Sequence, residues 1–197
     1  MRSVRLFSRL TVFVASLTLA HAASPWSVRI AATYLQTTDG STNKAADIDI
    51  EDKLIPEFDI TYAFTDHWAA ELVLTVPQEH NVKLNGADIG NFKHLPPTLL
   101  AKYTFSSIGG FTPYVGAGVN FTLIFDEDLA GGAAKLDTYS VGPAGQAGFD
   151  YKLTERLSLN ADVKRIMLRT DVTVGGAKLT EARLDPWLYS LGLRYSF

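Results

Sequence analysis

Apolar side chains return at every second position in one stretch after another of this chain, and that period leaves room for little but β-strands. Trp26, Val28, Ile30, Ala32 and Tyr34 alternate with Ser27, Arg29, Ala31, Thr33 and Leu35. Successive strand side chains point to opposite faces, so such a segment has one apolar face and one mixed face. The same alternation marks 58–64, 68–76, 99–105, 115–121, 141–151 and 157–163, and it closes the chain in "LDPWLYSLGLRYSF" (184–197). The phase blurs at "RIML" (165–168), where a bulge or the membrane boundary is expected. Eight strands are expected in all.

The connections alternate too. Short ones, "TDH" (65–67), "SSIGG" (106–110) and "KLTER" (152–156), are interleaved with long ones at roughly 36–54, 78–95, 126–136 and 171–183. Short turns at one rim and long loops at the other are the plan of an outer-membrane barrel. An even strand number then puts both termini on the short-turn, periplasmic side. A spanning helix fits nowhere in the mature chain. The longest uncharged stretch, 103–125, is broken by "SSIGG", Pro113, Gly116 and Gly118. A bilayer offers no water to unpaired amides, so a spanning sheet has to close on itself. A soluble sandwich or lipocalin-like barrel would reverse the two faces. Alternation alone does not separate these cases; segment length, terminal aromatics and small or charged inward residues favour the membrane.

Residues 1–22 stand apart from this pattern. Arg2, Arg5 and Arg9 precede the apolar run "LTVFVASLTLA", and "AHA" (20–22) fits a secretory cleavage site. The expected organisation is a cleaved leader, 1–22, and one barrel domain, 23–197. Cleavage leaves 15 basic against 21 acidic residues, a charge of −6 with His neutral. That balance lacks the basic excess of a nucleic-acid partner. Without cysteine the exported chain has no disulfides and no thiolate ligands.

Several stretches resemble the outer membrane protein W (OmpW) family: "HLPPTLLAKYTF" (94–105), "FTPYVGAGVNFT" (111–122) and the closing "LDPWLYSLGLRYSF". Weaker echoes are "ITYAFTDHWAAELVLTVPQEH" (60–80) and "GQAGFDYKL" (145–153). The resemblance implies an eight-stranded barrel in a Gram-negative outer membrane, with a narrow apolar pocket open to the outside. It also implies assistance to passive uptake of small hydrophobic solutes.

If the apolar stripes face lipid, Arg29, Asp59, Glu71, Lys102, Asp150, Asp162, Lys164 and Arg194 point inward. An eight-stranded barrel is just wide enough for side chains to fill, and buried charges need partners, so a salt-bridged plug is expected. Leu35, Val73, Leu100 and Leu188 are apolar but on the inward phase; with Leu54 and Leu95 they are expected to line the pocket above that plug. A small packed upper core without a ligand is the alternative. Lys164 stands where some relatives place an aromatic, which bears on the gate geometry. Pro96 and Pro97 donate no ladder hydrogen bonds, so a lateral gap beside them is one expectation and a rigid loop end the other.

No enzyme chemistry is expected. His21 leaves with the leader, His67 sits in a short turn, His80 and His94 share a long connection, and no serine elbow accompanies them. Glu79, His80 and His94 match no ligand motif, so neither a metal nor a cofactor is expected. The acidic clusters at 47–52 and 126–128 read as solvated loop, with cation bridging to lipopolysaccharide as the alternative. Tyr195 and Phe197 form a terminal aromatic signal of the kind the barrel assembly machinery receives. The expected partners are therefore outer-membrane lipid and lipopolysaccharide, a small hydrophobic solute, and that machinery. A plugged structural or receptor barrel is the second reading, and a lipid-modifying barrel enzyme the third.

Overall fold

The computed structural model describes residues 24–37, 40–41, 48–50, 52–84, 87–129, 134–174, 177–183 and 185–197, so the leader expected at 1–22 lies outside the described residues. The strands in chain order are β1 (Trp26–Gln36), β2 (Gly40–Ser41), β3 (Ile48–Ile50), β4 (Lys53–Ala63), β5 (Trp68–Thr75), β6 (Gln78–Leu84), β7 (Ala87–Leu95) and β8 (Thr98–Thr104). They continue with β9 (Phe111–Leu129), β10 (Ala134–Leu136), β11 (Tyr139–Lys152), β12 (Leu157–Ile166), β13 (Arg169–Val174), β14 (Ala177–Arg183) and β15 (Trp187–Ser196).

Eight of these, β1, β4, β5, β8, β9, β11, β12 and β15, form a closed antiparallel ring in that order. The first and last strands complete it, in register from Ser27↔Ser196 to Gln36↔Trp187. Closure satisfies amides that an open edge would leave bare in lipid. At this seam a Cβ on Gly192 would fall 2.3 Å from the Ile30 carbonyl oxygen, so only glycine lets the two backbones meet. The chain end is tied in as well: Phe197 N donates to Trp26 O at 3.2 Å, and Ser24 N to Phe197 O at 3.1 Å.

The outward face is apolar over the height of the ring, with Ile30, Phe58, Leu99, Val119, Leu191 and Leu193 all exposed. Near the short turns it becomes aromatic. Trp26 meets Tyr62 at 4.7 Å between ring centroids, Trp68 meets Tyr103 at 5.0 Å, and Tyr195 meets Phe197 at 5.2 Å. Aromatic rims flanking an apolar band fit a bilayer interface.

The long connections differ from the open loops expected of them. Within 78–95, β6 and β7 form a hairpin, and β7 continues against β9, which itself runs on to Leu129. Strand pairing outlasts the apolar belt here. Glu79, Lys93 and Asp128 replace lipid-facing apolar residues, so the apolar stripe that betrays a membrane strand is missing.

Candidate functional site: the lumen and a break in the wall

All eight ring strands send a side chain into one buried charge network. Arg29 of β1 donates to Glu57 and Asp59 of β4, to Asp162 of β12 at 2.8 Å, and to Asn160 Oδ1 at 2.5 Å. Lys164 donates to Glu57 at 2.7 Å and to Asp162 at 2.8 Å. Tyr114 of β9 donates to Asp162 at 3.1 Å and accepts from Asn160 Nδ2 at 2.9 Å.

A second group lies toward the short turns. Glu71 of β5 accepts from Lys102 of β8 and Arg194 of β15, both at 3.0 Å, and from Gln146 of β11 and Thr61, both at 2.9 Å. Arg194 also reaches Asp150 at 3.1 Å, and Asn160 Nδ2 donates to Asp150 at 2.7 Å, which joins the two groups. Lys102 Nζ stands 3.8 Å from the centroid of the Tyr114 ring.

The eight charged residues read from the alternation thus converge, and Glu57 joins them. Glu57 lies one step before Asp59 on the same inward phase, just outside the alternating stretch 58–64. Four cations then face five carboxylates. The excess carboxylate is visible in the bonding: Glu57 Oε2 and Asp59 Oδ1 are buried without a hydrogen-bond partner. Buried charges are tolerated only when paired and hydrogen-bonded, which fixes these side chains in place.

Above this network, toward the long connections, the interior mixes buried polar side chains such as Thr98, Asn120, Thr122 and His94 with an apolar cluster. Val73, Leu100 and Leu188 cluster with Phe92, Ile124, Leu129, Ala144, Ile166 and Leu168, and Leu35 is buried on the same inward phase. Leu54 and Leu95 do not belong there. Leu54 is 72% exposed on the outer face, and Ile55 takes the inward position at 2%. Leu95 pairs with outward Leu123, while Phe92 and His94 point in. Both leucines share the phase of the nearest lipid-facing stripe, since Leu54 is four residues from Phe58 and Leu95 four from Leu99. Phe92, Ile124, Leu129, Ile166 and Leu168 were missed because they lie in stretches where the outward stripe is polar or out of phase.

Pro96 and Pro97 separate β7 from β8, yet toward β9 the wall is closed beside them. Phe121 N donates to Pro97 O at 2.9 Å, and Asn120 Nδ2 donates to Pro96 O at 3.2 Å and Thr98 Oγ1 at 2.9 Å. The opposite edge differs. The β5–β8 ladder stops at Val73↔Thr98, and the β6–β7 ladder starts only at Gln78↔His94. On the other side of β5, pairing with β4 stops at Glu57↔Thr75.

Pro56 and Pro77 flank this interruption, and neither has an N–H to extend a ladder. A lipid-facing cleft of about 260 Å³ opens here, lined by Ile30, Pro56, Glu57, Phe58, Leu74, Thr75 and Val76. The Thr75 hydroxyl beside it has no hydrogen-bond partner. The break therefore lies between β4 and the β5–β6 junction, and on the β5 side of the proline pair.

The remaining candidates are scattered. Among the described residues no group of three or more His, Cys, Asp or Glu is placed to hold a metal. His94 is buried in the lumen and Glu79 is exposed, while the His80 side chain lies outside the described residues. His67 Nδ1 lies 2.8 Å from Thr104 O at the short-turn rim. Of the acidic clusters, Asp126 pairs with Lys93 at 3.3 Å, and Asp52 accepts from the Tyr34 hydroxyl at 2.8 Å.

Comparison with known proteins agrees with this architecture. The profile of the OmpW family matches residues 19–197. An uncharacterized outer-membrane protein, y4mB, of Sinorhizobium fredii is 41% identical over 184 residues, covering 88% of this chain and 80% of that protein. The dibenzothiophene metabolism operon protein PahQ of Pseudomonas aeruginosa is 27% identical over 188 residues, covering 88% and 89%. The crystal structure of the outer membrane protein OprG from Pseudomonas aeruginosa superposes with a TM-score of 0.78 at 28% identity, covering 89% of this chain and 97% of OprG. A closed eight-stranded ring with an apolar exterior, matched by the family profile over nearly its whole length, makes this chain an outer-membrane barrel of the OmpW family.

Proposed function

We propose that the barrel assists passive entry of small hydrophobic molecules, with the long-connection rim outside and both termini in the periplasm. The solute enters among the inward apolar side chains Leu35, Val73, Leu100 and Leu188, and leaves sideways into the bilayer through the cleft at Pro56 and Val76. The observation that carries this reading is the relation between network and cleft. A charge network fed by all eight ring strands closes the straight route, while pairing of the wall fails at Glu57↔Thr75, level with its upper edge. An apolar solute gains nothing from crossing desolvated charges, but it loses little in passing from apolar side chains into lipid. A relative named for a dibenzothiophene metabolism operon is in keeping with aromatic cargo.

Accumulation of a hydrophobic fluorescent tracer tests the reading, in cells that lack outer-membrane relatives and express either the wild type or Leu100→Asp. The wild type is expected to speed entry severalfold over empty cells, and Leu100→Asp to abolish the gain while still inserting. Equal entry with and without the wild-type barrel would favour a plugged structural barrel instead.

A further inference from the structure

The break in the wall beside β4 is a bounded window. Below it the ladder with β5 is intact up to Glu57↔Thr75. Above it the Lys53 ammonium of β4 donates to the Glu79 carbonyl of β6, so the two walls are tied again. Between these ties stand Pro56 and Pro77, which have no N–H to bond across. The outer mouth is apolar, with Ile30, Phe58, Leu74 and Val76 around it.

The inner sill of the window differs from its mouth. Glu57 and Thr75 lie directly opposite each other in the last ladder pair, on the inward phase of their strands. The Cβ atoms of such a pair stand about 4.5–5.5 Å apart. Glu57 Oε2 and Thr75 Oγ1 are both buried without a hydrogen-bond partner, whereas Glu57 Oε1 accepts from Arg29 and Lys164. Asp59 Oδ1 is also unpartnered, but it lies a step deeper, where its cross-strand neighbour is Val73. Buried polar groups are normally satisfied, so two open groups on one cross-strand pair mark a place where a passing solute can supply the missing partner. Both atoms are closed to solvent while the walls are together. No ladder bond follows them, so they are the first polar groups met by a solute that parts the walls.

We infer that the window selects, among small apolar solutes, those that carry one hydroxyl group on an aromatic or alkyl frame, a reading that rests on the lateral route proposed above. The hydroxyl donates to Glu57 Oε2 and accepts from the Thr75 hydroxyl, while the frame lies against Phe58, Leu74 and Val76. A carboxylate only accepts and a threonine hydroxyl does both, so one solute hydroxyl satisfies the pair. A bare hydrocarbon leaves both groups open, and a site built to hydrogen-bond a hydroxyl discriminates strongly against the analogue that lacks it. A solute with a carboxylate is turned away, because five network carboxylates already outnumber four cations.

The test uses the purified, isotope-labelled mature barrel in non-ionic micelles, titrated with naphthol, its methyl ether and naphthalene at matched micellar concentrations. Binding is read from the amide resonances of Thr75 and Val76. Naphthol is expected to reach half-saturation at a concentration about tenfold or more below that of either comparison compound. Thr75→Val removes the hydroxyl and keeps the branched shape; it is expected to shrink that preference severalfold and to leave the response to naphthalene in place. Thr104→Val, near the short turns, is expected to change nothing. Equal half-saturation by naphthol and its ether, or an unchanged preference in a Thr75→Val barrel with a wild-type strand spectrum by circular dichroism, would overturn the proposal. An equal response to all three compounds would do so while leaving the lateral route intact, and no response at the window from any of them would overturn both.

Discussion

Replacing Arg29 by methionine removes the cation that three carboxylates share. Arg29 and Lys164 face Glu57, Asp59 and Asp162, so this half of the network carries −1 in the wild type. Arg29→Met makes it −2, with Lys164 alone against three carboxylates. A unit-charge contact at 4 Å is worth about 4 kcal/mol at an effective dielectric constant of about 20. Removing one partner of a buried pair costs about 3–5 kcal/mol, since the other is left uncompensated. The side chains of Arg29, Glu57, Asp59 and Asp162 are fully buried, so solvent screening does not reduce that figure. The expected loss is therefore about 3–5 kcal/mol. Arg29→Met with Asp59→Leu returns the charge to −1 and is expected to recover about half or more of it. Urea unfolding in phospholipid vesicles measures this through the fluorescence of the outward-facing Trp26, Trp68 and Trp187. A single variant within about 1 kcal/mol of wild type, or a double variant less stable than the single one, would refute the reasoning.

Three further outcomes follow from the wall and its ends. Gly192→Leu brings a side chain against the Ile30 carbonyl at the closing seam, so the folded fraction recovered from membranes is expected to fall severalfold; normal recovery would mean that the seam tolerates a side chain. Deleting Phe197 removes a lipid-facing ring and two seam hydrogen bonds, and is expected to lower outer-membrane levels while periplasmic export continues. Intact-mass analysis of the mature protein is expected to place its first residue at Ala23, and a mass that retains Arg2, Arg5 and Arg9 would contradict cleavage.

The ring was legible in the sequence because lipid imposes a rule on every outward residue of a spanning strand. Trp26 through Tyr34 and Trp187 through Tyr195 obey it without exception. Where the strands rise past the apolar belt the rule lapses, so the β6–β7 hairpin and the upper part of β9 look like loop. Leu54 and Leu95 failed for a related reason: they were placed by their position in a connection, although their own phase pointed outward. The cross-strand pair Arg29↔Asp59 could be anticipated from neighbouring strands. The meeting of Arg29 with Asn160 and Asp162 could not, because it depends on the diameter and stagger of the closed ring. The break in the wall left a fainter trace. Prolines mark it, but Pro56 and Pro77 bound the cleft, and the more conspicuous Pro96–Pro97 pair is sealed on its β9 side.

The lateral route is tested most directly by stapling the cleft shut. The chain has no cysteine, so Pro56→Cys with Val76→Cys creates the sole disulfide, one step beyond the last ladder pair Glu57↔Thr75. Pro56 and Val76 line the two facing walls of the cleft, so a bridge formed between them draws those walls together. Val163→Cys with Tyr189→Cys, a cross-strand pair in the intact wall, serves as control. Tracer entry is then measured in the oxidised and the reduced state. Loss of entry in the oxidised Pro56–Val76 variant, restored by reductant and absent from the control, is the predicted result. Undiminished entry through a fully oxidised staple would contradict lateral exit at this cleft.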